Sequence, residues 1–442
     1  VKKHSLFHVS PLILFLVLVG LVYLDSSIYD FIDLFSIPAQ NKNFDLIFLT
    51  LVIIFIYSSL ALLYRGNSVL HGSKLFRISS KAIYKITYLS YGVIFTCLSL
   101  LVYQIVSQSA YNIYLVYLAL IASSLFALFF SISGTIKFFQ WLRVSREKLS
   151  FIYLISFVAF SILICFSLGY NILQISGSPV NVTTTNYQKV TQTMSINIPE
   201  VYKFYIFSYI FSFVAIWVST IFLLHDYLSK NFLRFLVIII LPLILFLINL
   251  LPITITIIVY LISIYPILLP LYAITSTLTF LIGPIIFSLT IFLMIKYTDN
   301  QTFKDNLLPI AYGLFLLFAS TQTNIFSRVL YPPFGLISIL FSGLSLFLVF
   351  TGFYSSSLYI TKNYYFSKTF VNRFYQSDFF RTIAKSELEM NVKKVFKNIQ
   401  RNDLFQVSEK EKIDDFNEEQ VSKLIEFVKK ELKNRKANDH SS

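Results

Sequence analysis

The sequence predicts an all-α protein: a polytopic helical membrane domain of about ten transmembrane helices, with a short helical cytoplasmic tail. Three observations carry that expectation. Only 13% of the 442 residues are charged and 56% are hydrophobic, with a mean hydropathy of +0.71, whereas soluble domains carry about 25% charged residues. Residues Phe235 to Ile295, between Arg234 and Lys296, run for 61 positions without one charged side chain. A bilayer core is about 30 Å thick and a spanning helix takes roughly 20 apolar residues. The net charge of +14 is spread over the loops between apolar segments. That pattern fits the excess of Lys and Arg in cytoplasmic loops and argues against a nucleic-acid-binding surface.

Six spans precede the uncharged block, at about 6–24, 45–64, 86–107, 112–136, 149–170 and 204–224. The opening Val-Lys-Lys-His resembles the start of a signal peptide. It lacks a small-residue cleavage site, so the segment reads as an uncleaved first helix. One set of flanks holds 13 cations: Lys2 and Lys3; Arg65, Lys74, Arg77, Lys81 and Lys85; Lys137, Arg143, Arg146 and Lys148; Lys230 and Arg234. The alternate flanks hold three, Lys42, Lys189 and Lys203. The asymmetry places the N-terminus in the cytoplasm, in a cell-membrane protein. Cys97 and Cys165 both fall in apolar segments, which gives neither a disulfide framework nor a cysteine metal site.

The long external loop, Asn171 to Lys203, is rich in Thr and Ser and carries the sequon Asn181-Val182-Thr183, with Asn181 as a candidate glycosylation site. The loop reads as a solvated connector with room for a short hairpin.

Pro242, Pro252, Pro266, Pro270 and Pro284 interrupt the uncharged block. Each removes a backbone donor, and in lipid the freed carbonyls must find partners inside the protein. Two spans are expected there, at about 233–258 and 267–295, with a break near Ser263–Pro266 and a kink at Gly283-Pro284. Spans at about 309–326 and 334–360 follow. A third helix in the block would put the tail outside. The tail's first part, 361–401, holds nine Lys or Arg against three acids, so it is assigned to the cytoplasm.

Two polar groups could line a pocket. One is Thr275, Ser276, Thr277 and Thr279. The other is the turn Ser320-Thr321-Gln322-Thr323-Asn324, of which Thr321, Gln322 and Asn324 are the candidates. An unsatisfied polar group in hydrocarbon costs several kcal/mol in order of magnitude, so these side chains need protein partners, water or the membrane surface. Both a polar pocket and an interfacial helix end satisfy that.

The last span carries a seam of small residues. Gly335, Ser338, Ser342, Ser345, Gly352 and Ser356 follow a 3,4 spacing that only Val349 interrupts. Such a face lets a neighbouring backbone approach closely. It suits a buried central helix, and it also suits a sliding or dimerising face.

Tyr331-Pro332-Pro333-Phe334-Gly335, Gly343-Leu344-Ser345 and Gly352-Phe353-Tyr354-Ser355-Ser356, followed by a basic tail, resemble a family of uncharacterised multi-pass membrane proteins of ammonia-oxidising archaea. The resemblance covers about 230–400. It implies the multi-pass layout and no activity. The basic tail helix here lacks the family's run of Arg-rich positions.

Ionisable side chains within spans mark transport and catalysis, and the spans hold nearly none. Asp226 beside His225 lies at a cytoplasmic helix end, and no His-x-x-x-His spacing or glycine-rich phosphate loop occurs. Asp25, Asp30 and Asp33 follow the first span on the external side. Membrane glycosyltransferases that use lipid-linked sugars are similar in placing acids there, as a general base or a divalent-ion ligand. The Asp-Ser-Ser-Ile-Tyr-Asp spacing lacks that class's tight acidic pair.

The chain divides into a membrane domain, 1–360, a basic aromatic juxtamembrane segment, 361–401, and a cytoplasmic amphipathic helix within 402–442. In the juxtamembrane segment, aromatics from Tyr364 to Phe380 alternate with Lys368, Arg373 and Arg381, which suits a helix among anionic headgroups. Asn417 with Gln420 forms a capping-box variant, and Val421, Leu424, Ile425, Val428 and Leu432 form one stripe. A single helix of that length is marginal in water, so 417–436 calls for a helical partner or a second copy. No cofactor is implied. The expectation is a non-enzymatic sensor or scaffold relaying to the tail. The alternatives are a transporter of a neutral or apolar solute and, behind it, the glycosyltransferase.

Overall fold

The computed structural model describes residues 10–35, 42–71, 77–145, 148–175, 181–183, 207–218, 268–298, 300–321 and 330–362, with isolated positions between 221 and 244 and between 383 and 390. The chain forms two units, Val1–Leu388 and Glu389–Ser442. The second lies almost wholly outside the described residues, and with it the expected 417–436 helix.

Apart from one short pair of strands, the described chain is helical. The helices are α1 (Pro11–Phe35), α2 (Lys42–His71), α3 (Arg77–Gln108), α4 (Ile113–Ser145) and α5 (Lys148–Ile175). They continue with a segment α6 (Phe207–Val218), then α7 (Leu268–Tyr297), α8 (Gln301–Thr321) and α9 (Leu336–Lys362). Among the described residues six helices, α1 to α5 and α9, are long and apolar enough to cross a bilayer. This is an all-α protein of the membrane.

Helix starts follow ordinary capping chemistry. Pro11 occupies the first helical position of α1, where a missing N–H costs nothing, and the Leu14 N–H bonds the Ser10 carbonyl. Asn112 caps α4 by accepting the Tyr114 N–H at 2.9 Å. Asn300 caps α8 by accepting the Phe303 N–H at 3.1 Å. That cap starts α8 at Gln301, eight residues before the expected 309, and leaves Pro309 inside the helix. The α7 helix likewise runs through Pro284. The expected span 233–258 and the break at 263–266 lie outside the described residues, apart from isolated helical positions such as Ile240 and Ile244.

The strands are β1 (Ala110–Asn112), between α3 and α4, and β2 (Asn181–Thr183), beyond α5. They pair antiparallel, Tyr111 opposite Val182. The strand in the 171–203 loop therefore pairs across to the α3–α4 turn rather than within the loop.

Packing is centred on α9 and α8. Nearly nine-tenths of the apolar window of α9 is buried, and every residue from Pro309 to Ser320 in α8 is buried. The two run antiparallel. A Cβ on Gly313 would lie 2.8 Å from both the Ser345 carbonyl oxygen and the Val349 nitrogen, and one on Gly352 would lie 3.0 Å from the Ile310 nitrogen. Around this pair α2 packs through Phe55 on Phe341, α4 through Phe130 on Phe347, and α7 through Phe287 on Phe318. Edge-to-face aromatic pairs of this kind contribute about 0.5–1.5 kcal/mol each beyond area burial. The outer faces of α1 to α5 present apolar side chains such as Leu16, Ile53, Leu89, Leu125 and Ile162, as a lipid-facing surface requires.

Candidate functional site

Buried polar chemistry collects at the two ends of α9. At its N-terminus, the Tyr-Pro-Pro-Phe-Gly turn leads into the helix through a cis Tyr331-Pro332 bond and a left-handed Gly335, φ 81°. A side chain at Gly335 would be strained there. Phe334 sits between the rings of Phe44 and Phe48 from α2. Tyr331 stacks on Tyr111, whose hydroxyl donates to the Leu330 carbonyl at 2.6 Å. Burial pushes the Tyr331 hydroxyl up to about 12, with the Asp45 carboxylate adding to the shift, so it stays protonated at neutral pH.

The first turn of any helix has N–H groups with no acceptor in the helix. Here Asp25, reaching across from α1 at 0% exposure, supplies the acceptors. Its Oδ1 accepts the Gly335 N–H, and its Oδ2 accepts the Ser338 N–H and the Ser338 hydroxyl, all at 2.9 Å. The carboxylate also suits the positive end of the helix dipole. The expectation that Asp25 follows the first span in an external loop is corrected: α1 continues unbroken to Phe35, and Asp30 and Asp33 lie in its last turns. With both oxygens of Asp25 engaged by α9, that carboxylate is not presented to a substrate as a general base. Sequence reasoning missed this contact because the donors lie about 310 residues away.

The seam residues meet different neighbours. Gly335 and Ser338 bond α1. Ser342 Oγ lies 3.2 Å from Ser123 Oγ of α4, and the Ser123 hydroxyl also donates to the Leu340 carbonyl at 3.1 Å. Ser345 and Gly352 face α8, while Ser356 is buried. Gly343, next to the seam, also permits close contact: a Cβ there would lie 2.9 Å from the Ser123 carbonyl oxygen.

Beside the middle of α9, where Gly66 meets Phe347 and Gly313 meets Val349, the Arg65 guanidinium of α2 donates to the Tyr312 hydroxyl at 2.9 Å, which in turn donates to the Pro11 carbonyl at 2.9 Å. This chain ties the start of α1, the end of α2 and α8 together. Further along α9, by Tyr354, α4 presents Lys137 and Trp141 to the tail residue Glu387. Trp141 Nε1 donates to Glu387 Oε2 at 2.9 Å, and Lys137 Nζ lies 3.4 Å from Oε1. The Lys137 ammonium also sits 5.1 Å from the centre of the Tyr354 ring of α9, a cation–π placement. Ile383 and Ser386, like Glu387, are buried. The neighbouring residues of the 361–401 segment lie mostly outside the described positions.

Of the expected pocket residues, Thr277 is buried in α7. Thr275, Ser276 and Thr279 belong to α7 and Thr321 ends α8, but their side chains, with Gln322 and Asn324, lie outside the description. Asn181 is exposed on β2. Cys97 and Cys165 are free thiols. Among the described residues no group of three or more His, Cys, Asp or Glu is placed to hold a metal ion. Comparison of the chain with protein-family models, curated proteins and solved structures found no match.

Proposed function

We propose that this protein is a non-enzymatic membrane sensor or scaffold in which the buried helix α9 links the two ends of the bundle and passes changes to the C-terminal tail. The observation that carries the reading is Glu387: a tail carboxylate buried against Trp141 and Lys137 of α4, beside Tyr354 of α9. A tail with no role in the membrane domain has no need of a buried charge, which is costly unless paired. Along α9, Tyr354 beside the Glu387 contact lies 16 residues, about 24 Å, beyond the Asp25 cap at Ser338. One stiff element therefore touches both polar ends.

The finer parts of the reading belong with it. About ten crossings and two cytoplasmic termini agree with the start of α8 lying by Gly352, toward the end of α9. The family resemblance over 230–400 supports the same layout, because its Tyr-Pro-Pro-Phe-Gly motif is the turn that enters α9. The 417–436 stripe would then receive a helical partner, and the aromatics of 361–401 the anionic headgroups.

Hydrogen exchange on the full chain in lipid nanodiscs tests the relay. Glu387→Gln should raise exchange around 383–390. Asp25→Asn, at the far end of α9, should raise it there too. An Asp25→Asn protein that remains folded and shows unchanged protection at 383–390 would remove the relay and leave a static scaffold.

A further inference from the structure

Resting on the tail-docking reading, we infer that the Lys137–Trp141 cradle that holds Glu387 is also the seat of an anionic lipid headgroup, which competes with the tail carboxylate and releases it. The cradle offers what any oxyanion needs, an indole N–H and an ammonium, and neither donor distinguishes a carboxylate from a phosphate.

Three features make the competition physical. The Lys137 side chain is 24% exposed while that of Glu387 is 4% exposed, so the cation has an open side although the tail acid is sealed in. The Lys137–Glu387 separation of 3.4 Å exceeds the roughly 2.7–2.9 Å of a close charge-assisted bond. Tyr354 holds the ammonium from below, so the cradle does not depend on Glu387 for its shape.

The helix also places the indole of the cradle at headgroup depth, with Lys137 one turn deeper. On α4, Leu125, Phe129, Ile132, Ile136 and Phe139 are exposed at 4,3,4,3 spacing, and the next position of that stripe, four residues on, is the exposed cation Arg143. The change from apolar to basic marks where acyl chains give way to headgroups, between Phe139 and Arg143. Trp141 lies in that interval, where tryptophan is enriched in membrane proteins. Anionic lipids gather at basic protein surfaces through a field that salt screens.

The test uses the two tryptophans of the chain, Trp141 and Trp217. With Trp217→Phe, the emission of Trp141 reports the dock in the otherwise unaltered full chain. In neutral phosphatidylcholine nanodiscs the indole should emit at short wavelength. Raising phosphatidylglycerol should shift it to the red as the tail leaves, and added salt should reverse part of that shift. Adding Glu387→Gln should give the red emission already in neutral lipid, with little further response to phosphatidylglycerol.

Emission indifferent to phosphatidylglycerol, with Glu387→Gln still red-shifted, would overturn the lipid competition and leave the docked tail standing. Identical emission with and without Glu387→Gln in neutral lipid would overturn the dock, and the proposed function with it. An equal shift produced by soluble glycerol phosphate in neutral discs would assign the cradle to a soluble phosphate and overturn the headgroup. The lipid titration on the Glu387 protein decides the proposal even if Glu387→Gln fails to fold.

Discussion

Asp25 Oδ2 accepts both the backbone N–H and the hydroxyl of Ser338, each at 2.9 Å, across 313 residues of chain. A carboxylate in the first described helix thus completes the first turn of the last helix of the bundle. Asp25 is synthesised about 310 residues before its partners, so the contact forms only once α9 has joined the bundle.

Asp25→Ala should destabilise the protein more than Ser338→Ala. The alanine at 25 leaves two backbone N–H groups and a hydroxyl without their acceptor, and a buried unsatisfied donor costs about 1–3 kcal/mol. Removing the buried carboxylate offsets part of that. Ser338→Ala removes the hydroxyl's bond to Asp25, worth about 1 kcal/mol, and its longer contact at 3.4 Å with Ser26 Oγ. Thermal unfolding in a single detergent ranks the two. A melting temperature for Asp25→Ala at or above that of the parent would show that the desolvation of the carboxylate outweighs its bonds.

The glycines give a graded series on the α8–α9 contact. Gly313→Ala meets backbone atoms, the Ser345 oxygen and the Val349 nitrogen at 2.8 Å. Gly352→Ala meets the Ile310 side chain and, at 3.0 Å, its nitrogen. Both should cost about 1–3 kcal/mol, as overpacking does, and Gly352→Leu should cost more. Gly92→Ala has nothing within 4 Å and should be neutral or gain about 0.5–1 kcal/mol from helix propensity. Equal melting temperatures across the series would mean that α8 and α9 do not approach this closely in the membrane.

The seam of α9 was legible in the sequence because small residues at 3,4 spacing stand out among Leu and Phe. Its partner was not. Gly313 lies in α8 as a lone glycine among bulky residues, and its pairing with Ser345 depends on the fold. Asp25 was misplaced for a related reason: hydropathy ends a span at the first charge, although a charge that caps another helix can sit inside one. Glu387 was counted as one acid among nine cations of the tail, and its contact with Trp141, 246 residues earlier, has no local signature. The start of α8 was legible in principle from Asn300, a strong capping residue, but Lys304, Asp305 and Pro309 masked it.

Tyr111 provides a pH test outside the spans. Burial, with the charges of Tyr117 and Tyr331 adding, holds its hydroxyl well above the ordinary value of 10.0. A tyrosine raised on folding contributes stability that is fully present below its unfolded value and is lost as pH rises beyond it. At pH 7 Tyr111→Phe should cost about 0.5–1.5 kcal/mol through the lost bond to the Leu330 carbonyl. Above about pH 10 the parent should lose its advantage by up to about 1.4 kcal/mol per pH unit. A gap between the two proteins that stays constant from pH 8 to 11 would show that Tyr111 titrates normally.

The placement of both termini in the cytoplasm is tested by labelling. Lys137 and Glu387 lie by Tyr354, and the start of α8 lies by Gly352, toward the end at which α9 finishes, and from mid-bundle α1 begins at Pro11 and α2 runs on past Arg65. The β1–β2 pair and the Asp25 cap belong to the opposite end. Loops at the first end carry most of the 13 cations, which favours the cytoplasmic side. With Cys97 and Cys165 replaced by alanine, single cysteines are introduced at Ser178, three residues before β2, and at Ser441. An impermeant maleimide on intact cells should then label 178 and spare 441, and permeabilised cells should label both. Labelling of 441 on intact cells would require an odd number of crossings between the ends. With 178 labelled as well, the extra crossing would have to follow α9, because the contacts already set β2 and the end of α9 at opposite ends of the bundle.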